Sequence, residues 1–137
     1  MSGPAAQSVL VVDDDEGVAL TFSRMLRLHG YRVETATNPE AGLAIAITRP
    51  PDAIILDLRM PLVGGLEFLR RLRAGKTHYA TTSVTIVTGD YFIDDEIADE
   101  IKSLGAQVSF KPLWLDDLAD VVRAMLPSAP PPVSACA

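Results

Sequence analysis

Short apolar runs alternate along this chain with segments of helical period. Five runs have the length and composition of strands: VLVV at 9–12, YRVETA at 31–36, AIIL at 53–56, VTIV at 84–87 and QVSF at 107–110. The first, third and fourth runs are apolar at nearly every position, which is typical of parallel strands covered by helices on both faces. The pattern therefore predicts a parallel sheet with a helical layer on each side.

The segments between the runs carry the start and stop signals of helices. One extends from about Glu16 to His29 and stops at Gly30, a residue type favoured just past a helix end. Another opens with Asn38 as its cap and Pro39 in its first turn. The last, LDDLADVVRAML, carries four apolar residues on one face: Leu115, Leu118, Val122 and Met125. Five strands, each followed by a helix, predict a doubly wound α/β domain with right-handed crossovers.

The two ends of the chain depart from this pattern. Residues 1–7 suggest a loose leader, and residues 127–137, PSAPPPVSACA, contain four prolines and no charge, which favours an extended tail or linker. We therefore expect one domain over residues 8–126. A chain of 137 residues with 48% hydrophobic residues can bury a core large enough to fold unaided.

Charge and cysteine content exclude several classes of function. The net charge of −6 argues against a dedicated nucleic-acid binder, which shows a basic stripe. Residues 90–100 include six acidic side chains and no basic one, a run typical of a solvated helix face. The single cysteine, Cys136, excludes a disulfide framework. Since no apolar stretch approaches the ~20 residues of a membrane span and no signal pattern opens the chain, we expect a cytoplasmic protein without membrane contact.

An aspartate, Asp57, follows directly on the apolar run at 53–56. An ionised carboxylate buried alone loses several kcal/mol of hydration, so it should be paired, bound to a metal or placed at the surface edge. Asp57 is therefore either a polar residue that ends a strand or a reactive group presented at the carboxyl end of that strand.

The predicted sheet brings other polar residues to the same edge. In open parallel sheets, ligands bind beyond the carboxyl ends of the strands, where the order of connection reverses. The residues expected there are Asp13, Asp14 and Asp15 after strand one, Asp57 after strand three, Thr88 and Gly89 after strand four, and Lys111 and Pro112 after strand five. Each has an ordinary interpretation too, because Asp14 and Asp15 could cap the first helix and Thr88 could simply end a strand.

Taken together, these residue types favour phosphoryl transfer. Crowded carboxylates repel one another unless a cation or a shared proton lies among them, and hard oxygen ligands suit Mg²⁺ in company with phosphate. The lysine supplies a point positive charge for phosphoryl oxygens, and the threonine hydroxyl supplies a hydrogen-bond donor. Because carboxylates serve as nucleophiles toward phosphoryl groups, the set suits transfer of a phosphoryl group onto Asp57.

Four stretches, in this order and at these separations, resemble those of a known family: VLVVDDDEG, IILDLRMPLVGG, VTIVTGD and FKPL. Over residues 8 to about 126 the sequence is similar to the receiver domains of two-component response regulators. The resemblance implies a flavodoxin-like fold, with five parallel strands in the order 2-1-3-4-5 and helices on both faces.

The resemblance also implies a phosphoacceptor and a magnesium site. Asp57 would accept a phosphoryl group from a sensor histidine kinase or a phosphotransfer protein. Asp13 and Asp14 match the acidic pair that holds Mg²⁺ together with Asp57, with Asp14 as the more direct ligand of the pair. The backbone carbonyl of Arg59 falls where a third protein ligand is expected.

The resemblance assigns roles to the ends of strands four and five as well. Thr88 matches the hydroxyl that switches position, and Lys111 matches the lysine that meets the phosphoryl group. The bond between Lys111 and Pro112 is expected to be cis. Arg59 and Asp90, two residues after Asp57 and Thr88, occupy positions that influence the hydrolytic water; they either pair across the site or stay solvated independently.

In one place the sequence departs from the family pattern. Receiver domains usually carry Tyr or Phe three residues before the lysine, and here that position is Val108. Valine is too short to move between a buried and an exposed rotamer, so the aromatic step of the usual transmission is missing. Phe110 shares the strand face of Val108 and is either a stand-in or a core residue.

Other classes of protein fit these residues less well. A haloacid-dehalogenase-type phosphatase requires a second aspartate two residues after its nucleophile, where this chain has Arg59. A flavin-binding flavodoxin requires a phosphate loop after strand one, where three aspartates would repel a phosphate. A degenerate receiver that acts only as an interaction module would not need the full set of site residues.

The cellular role stays open between a stand-alone regulator, a phosphorelay shuttle and the receiver part of a longer protein cut at its proline-rich linker. We expect a monomer or a phosphorylation-dependent dimer that catalyses only its own phosphorylation and dephosphorylation.

Overall fold

A computed structural model of the chain describes residues 7–57, 64–74, 82–88, 95–110 and 115–126. Within these residues five strands alternate with five helices. The strands are β1 (Ser8–Val12), β2 (Arg32–Ala36), β3 (Ala53–Asp57), β4 (Ser83–Thr88) and β5 (Ala106–Phe110). The helices are α1 (Glu16–Leu28), α2 (Pro39–Thr48), α3 (Gly64–Arg73), α4 (Asp95–Ser103) and α5 (Leu115–Met125).

The sheet formed by the described residues has the predicted topology. Its five strands are parallel and lie in the order β2-β1-β3-β4-β5. The chain leaves β1 toward one edge, forms β2, and then crosses back to place β3 on the other side of β1. The order of connection therefore reverses between β1 and β3, which is where the crevice of such a sheet opens.

The strand boundaries differ from the predicted runs by one residue. Three strands begin one residue earlier than predicted, at Ser8, Ser83 and Ala106, and Tyr31 precedes β2 instead of belonging to it. Asp57 and Thr88 lie inside their strands, not after them, because the ladder continues through the pairs Asp57–Val87 and Thr88–Phe110. An apolar pattern misses polar strand ends because backbone pairing does not depend on side-chain polarity.

Two apolar layers, one on each face of the sheet, hold the helices in place. The layer on the side of α2, α3 and α4 includes Leu10, Val12, Ile54, Leu56, Val84, Ile86, Phe68, Leu72 and Ile101. The layer on the side of α1 and α5 includes Val9, Val11, Ile55, Val87, Phe22, Leu26, Leu118 and Val122. Because β1, β3 and β4 contribute to both layers, their sequences are apolar at successive positions, as the pattern predicted.

The start of α2 brings its backbone close to the sheet. Asn38 caps the helix with its side-chain oxygen, which accepts a hydrogen bond from the Ala41 N–H at 2.8 Å, and Pro39 occupies the first turn, as predicted. Further along, a Cβ atom added to Gly42 would lie 2.9 Å from a methyl carbon of Val12. Glycine at this position therefore allows helix and strand to approach more closely than any other residue would.

The open edge of β2 is covered at one point by α1. Along this strand the Arg32 N–H donates to the Gln7 carbonyl, and the Ala36 carbonyl accepts from the Asp13 N–H. The backbone polar groups of Arg32 and Ala36 therefore point toward β1. Val33 alternates with them, so its carbonyl points away from β1. The Arg27 guanidinium donates to that carbonyl oxygen at 3.0 Å.

None of the helices in the described ranges is long and apolar enough to cross a membrane.

Candidate functional site

Asp57 is the last residue of β3, and its side chain is almost completely buried, with 5% of the residue exposed. β3 lies between β1 and β4, and apolar residues precede Asp57 along the strand. The backbone ladder fixes its position, since Asp57 pairs with Val87 of β4. The strand thus presents a buried carboxylate at the carboxyl edge of the sheet.

Asp13 and Asp14 follow β1 and reach the same place. Val12 pairs with Leu56, so the residues that come next in the two strands lie side by side. The Asp13 backbone N–H donates to the Ala36 carbonyl at 3.1 Å, which keeps the chain in register beyond the strand end. Asp13 is buried, whereas Asp14 is exposed.

One carboxylate oxygen from each of Asp13, Asp14 and Asp57 lies within 4.8 Å of the other two; we call this set the acidic cluster. Two of its members are buried and the third opens it to solvent. Three carboxylates at this separation repel one another, and a cation of high charge density among them would offset that repulsion. The donor set, all hard oxygen and open on one side, fits a magnesium ion that keeps several of its waters.

Asp15, the next residue along the chain, has a different role. Its carboxylate accepts a hydrogen bond from the Val18 N–H at 3.1 Å, and its own N–H donates to Asp13 at 2.9 Å. Asp15 is therefore the N-cap of α1, which ends at Leu28, one residue before the predicted end. The helix-capping interpretation is right for Asp15, while Asp14 belongs to the acidic cluster.

The end of β4 lies next to Asp57 in the order of the sheet, and the end of β5 lies one strand further out. Thr88 is one residue beyond Val87, the backbone partner of Asp57, and it pairs in turn with Phe110. Val108 pairs with Ile86 and packs, half-buried, against the apolar layer on the side of α2, α3 and α4. The register thus places the backbone of Thr88 at the carboxyl edge, as predicted.

Several predicted site residues lie outside the described ranges: Arg59, Gly89, Asp90, Lys111 and Pro112. The roles expected for them, and the cis bond expected between Lys111 and Pro112, stay predictions.

The acidic run at 90–100 is only in part a solvated helix face. Asp95, Glu96 and Asp99 are exposed on α4, as expected. Glu100 instead faces α3 and pairs with Arg70, a contact that the sequence reasoning missed. Hydrogen bonding to Arg70 lowers the pKa of the Glu100 carboxyl below its ordinary value. The sequence does contain a signal for this contact: three arginines lie near the end of α3, and their charge is opposite to that of the acidic α4.

Comparison with known proteins agrees with this geometry. Residues 9–123 match the sequence model of the family described as the response regulator receiver domain. Among curated proteins, the transcriptional regulatory protein PrrA of Mycobacterium tuberculosis is 34% identical over 125 residues, which is 91% of this chain and 52% of that protein. The chain therefore spans about half the length of this relative. Sporulation initiation phosphotransferase F of Bacillus subtilis is 27% identical over 122 residues, 88% of this chain and 94% of that protein.

Solved structures show the same fold. The chemotaxis protein CheY4 of Vibrio cholerae superposes with a TM-score of 0.81 at 32% sequence identity, covering 89% of this chain and all of that one (100%). A response regulator receiver protein from Pseudomonas putida superposes with a TM-score of 0.77 at 31% identity, covering 89% of this chain and 99% of that chain.

Proposed function

This chain belongs to the response regulator receiver domains, and from that premise we propose that it is switched by phosphorylation of Asp57. The phosphoryl donor is a sensor histidine kinase or a phosphotransfer protein, and the switched domain signals through contacts with another protein. The observation that carries the proposal is the position of Asp57, a buried carboxylate at the carboxyl edge of β3 within 4.8 Å of two further carboxylates.

The transfer itself requires little covalent chemistry from the protein. One Asp57 carboxylate oxygen forms a bond to phosphorus while the phosphorus–nitrogen bond of a phosphohistidine breaks. The electron pair of the broken bond stays on the imidazole nitrogen, which takes up a proton. The product is an acyl phosphate at the end of β3, and positioning and charge stabilisation supply the catalysis.

The acidic cluster would hold Mg²⁺ through Asp13, Asp14 and Asp57, with the backbone carbonyl of Arg59 as a further ligand. The ion supplies positive charge that neutralises phosphoryl oxygens and carboxylates brought together in the transfer. Asp15 keeps its carboxylate on the α1 N-terminus and takes no part in binding the ion.

The remaining site residues act on the phosphoryl group after transfer. The Thr88 hydroxyl donates a hydrogen bond to it, and the Lys111 amine supplies a compensating positive charge. Arg59 and Asp90 influence how a hydrolytic water approaches, and so modulate the lifetime of the phosphorylated form. Pro112 would fix the direction of the chain after Lys111.

Phosphorylation by a small-molecule donor tests the assignment. With phosphoramidate and Mg²⁺ the protein should gain one base-labile phosphoryl group, detected by mass spectrometry, and Asp57→Asn should abolish the gain. Asp14→Asn should slow it by about tenfold or more, because the loss of one ligand weakens the ion's site. Asp15→Asn is the matched control: asparagine still caps α1, so labelling should proceed as in the wild type.

Labelling of Asp57→Asn to the extent of the wild type would contradict the proposal, since the phosphoryl group would then reside elsewhere. Equal labelling with and without Mg²⁺ would contradict the role of the acidic cluster.

A phosphorelay shuttle is the second candidate, and one comparison favours it. Sporulation initiation phosphotransferase F matches this chain over 94% of its own length, so a protein of this size is named a phosphotransferase. PrrA, in contrast, is about twice as long as the match, which favours the receiver part of a longer regulator. Transfer of phosphate from Asp57 to a histidine phosphotransfer protein, faster than hydrolysis, would distinguish the shuttle. In neither case do we expect the domain to contact nucleic acid or membrane, and it acts as a monomer or a phosphorylation-dependent dimer.

A further inference from the structure

α3 and α4 are joined by a charged contact at the ends that lie away from the acidic cluster. The Arg70 guanidinium donates to both carboxylate oxygens of Glu100, with 2.7 Å between Nη2 and Oε1. This two-fold arrangement fixes the relative orientation of the two side chains as well as their distance. Arg70 also contacts Glu67 of its own helix, which restricts the guanidinium further.

A second arginine of α3 holds the C-terminal end of α4. The Arg73 Nε donates to the Leu104 carbonyl oxygen at 2.7 Å, just past the last residue of the helix. Gly105 then turns the chain with φ near +75°. Carbonyls at a helix C-terminus lack intrahelical partners and carry partial negative charge, so a guanidinium placed there stabilises the helix end. Arg73 is half-buried, and burial lowers its pKa; since a guanidinium stays charged, the contact persists at neutral pH.

Burial along α4 follows one face of the helix. Ile97 is half-buried and packs against the apolar layer on the side of α2, α3 and α4, and Ile101, one position after Glu100, is fully buried. Asp95, Glu96 and Asp99 are exposed, as are Lys102 and Ser103. The one fully buried residue and both arginine contacts therefore lie at or beyond Glu100, whereas residues 95–99 include none that is fully buried. A segment with few buried contacts opens more readily than one that is packed and hydrogen-bonded.

We propose that Arg70 and Arg73 are positioning residues that fix the C-terminal end of α4 to α3, so that α4 moves by pivoting about this end. We call their contacts with Glu100 and Leu104 the α3–α4 anchor. α3 follows β3, which ends in Asp57, and α4 follows β4, which ends in Thr88. The anchor therefore connects the far ends of the two helices that follow the site strands.

The pivoting of α4 during signalling rests on the proposed phosphorylation of Asp57, whereas the α3–α4 anchor is a feature of the fold and does not depend on it. A modification shifts a conformational equilibrium only through different interactions with the two states. A displacement that starts at the carboxyl edge of the sheet would reach the first turns of α4 and stop at the anchor, because the Arg70 and Arg73 contacts hold that end of the helix to α3. The N-terminal half of α4 thus changes position while residues 100–105 stay in place.

Amide hydrogen exchange measured by NMR on the full chain tests the anchor directly. In Arg73→Ala, amides of residues 100–105 should exchange about tenfold faster, as expected for loss of a hydrogen bond from a charged donor. In Arg70→Ala the same amides should exchange about two- to fivefold faster, because that pair is more exposed. Arg71→Ala is the matched control, since Arg71 pairs with Glu67 inside α3 and should leave α4 unchanged.

Glu100→Gln removes the negative charge that Arg70 contacts. The double variant Arg70→Ala/Glu100→Gln should therefore show the same amide exchange at residues 100–105 as Arg70→Ala alone. Acceleration by Arg71→Ala equal to that by Arg70→Ala, or unchanged exchange at 100–105 in Arg73→Ala, would overturn the anchor.

Beryllofluoride with Mg²⁺, a mimic of the phosphoryl group, tests the pivot. In the wild type, exchange should change at residues 95–99 and stay constant at 100–105; in the Arg70→Ala/Arg73→Ala variant the change should extend through 105. Equal changes over the whole of α4 in the wild type would overturn the pivot. Failure of the mimic to bind would contradict the proposed phosphorylation. The anchor would still be tested by amide exchange in the arginine variants, which does not require the mimic.

Discussion

Thr85 lies in the middle of β4 with none of its surface exposed. Its backbone partner in β3 is Ile55, a member of the apolar layer on the side of α1 and α5, so Thr85 faces that layer. Within the part of the chain that the structure describes, its hydroxyl has no hydrogen-bond partner. A buried hydroxyl in that condition costs about 1–3 kcal/mol of stability.

We therefore expect Thr85→Val to raise the free energy of unfolding by about 1 kcal/mol, because valine keeps the branched shape and removes the unpaired oxygen. Urea denaturation of the two proteins measures the difference. Thr82→Val is the matched control: Thr82 is also buried, but its hydroxyl donates to the Pro51 carbonyl, so the loss of that hydroxyl should destabilise the protein. Destabilisation of Thr85→Val by as much as Thr82→Val would show that the Thr85 hydroxyl is satisfied.

At the scale of single elements, the contact between α3 and α4 makes part of the stability dependent on pH. The pKa of Glu100 is below its ordinary value of 4.5, chiefly because Arg70 donates hydrogen bonds to the carboxylate. A carboxyl whose pKa is lower in the folded chain contributes stability that is fully present above its unfolded pKa and is lost as the pH falls through the folded value. The contact therefore stabilises at neutral pH and ceases to do so in acid below pH 4.5.

We expect the wild type to be more stable than Glu100→Gln at about pH 7, and the difference to disappear by about pH 3. Urea midpoints at a series of pH values measure it. Glu96→Gln, which removes an exposed carboxylate of the same helix, is the matched control. A constant difference between wild type and Glu100→Gln at all pH values would mean that its ionisation is not linked to folding.

β5 should respond only weakly to a phosphoryl mimic. Val108 packs half-buried opposite Ile86 and is too short to exchange between two positions, so it cannot fill space vacated by Thr88. The side chain of Phe110, the other candidate for that role, lies outside the described part of the structure. We expect small NMR chemical-shift changes in β5 and α5 on adding beryllofluoride, and larger ones in residues 58–63 and 89–94. Changes in β5 as large as those around Thr88 would contradict this inference from Val108.

The elements that the sequence predicted well are those specified by neighbouring residues. β1, β3 and β4 follow from unbroken apolar runs, and the start of α2 follows from Asn38 and Pro39, which act within one turn. The pair of Arg70 with Glu100 depends on how two helices pack side by side on one face of the sheet, and no local pattern specifies which arginine reaches which carboxylate. The same limit applies to Thr85, because alternation predicts that it is buried but not whether its hydroxyl is bonded.

At the scale of the whole molecule, the acidic cluster links folding to metal binding. Asp13 follows β1 and Asp57 ends β3, so their carboxylates come together only in the folded chain. An ion that binds the folded state and not the unfolded one stabilises it by about 2.7 kcal/mol at a hundred times its dissociation constant. The sheet order predicted from the sequence places these residues at one edge, whereas the burial of two of the three follows only from the structure.

Mg²⁺ should accordingly raise the melting temperature of the wild type in a concentration-dependent manner, measured by calorimetry. Without Mg²⁺, Asp57→Asn should melt at a higher temperature than the wild type, because one of three mutually repelling charges is gone, and its response to Mg²⁺ should be smaller. Asp15→Asn provides the control and should respond as the wild type does. If Mg²⁺ did not change the melting temperature of the wild type, that result would contradict a divalent cation site at the acidic cluster.

The hydrogen bond from Arg27 to the Val33 carbonyl has a consequence for the behaviour of many molecules in solution. β2 is an outer strand, and an outer strand with open backbone groups is a template on which another copy can add its own strand and begin an aggregate. Arg27 occupies one of the acceptors that such an addition requires, and its charge repels a second copy approaching in the same orientation. A strand that adds to β2 would therefore first have to displace Arg27 from the Val33 carbonyl, which makes this edge a poorer template for aggregation than a bare one.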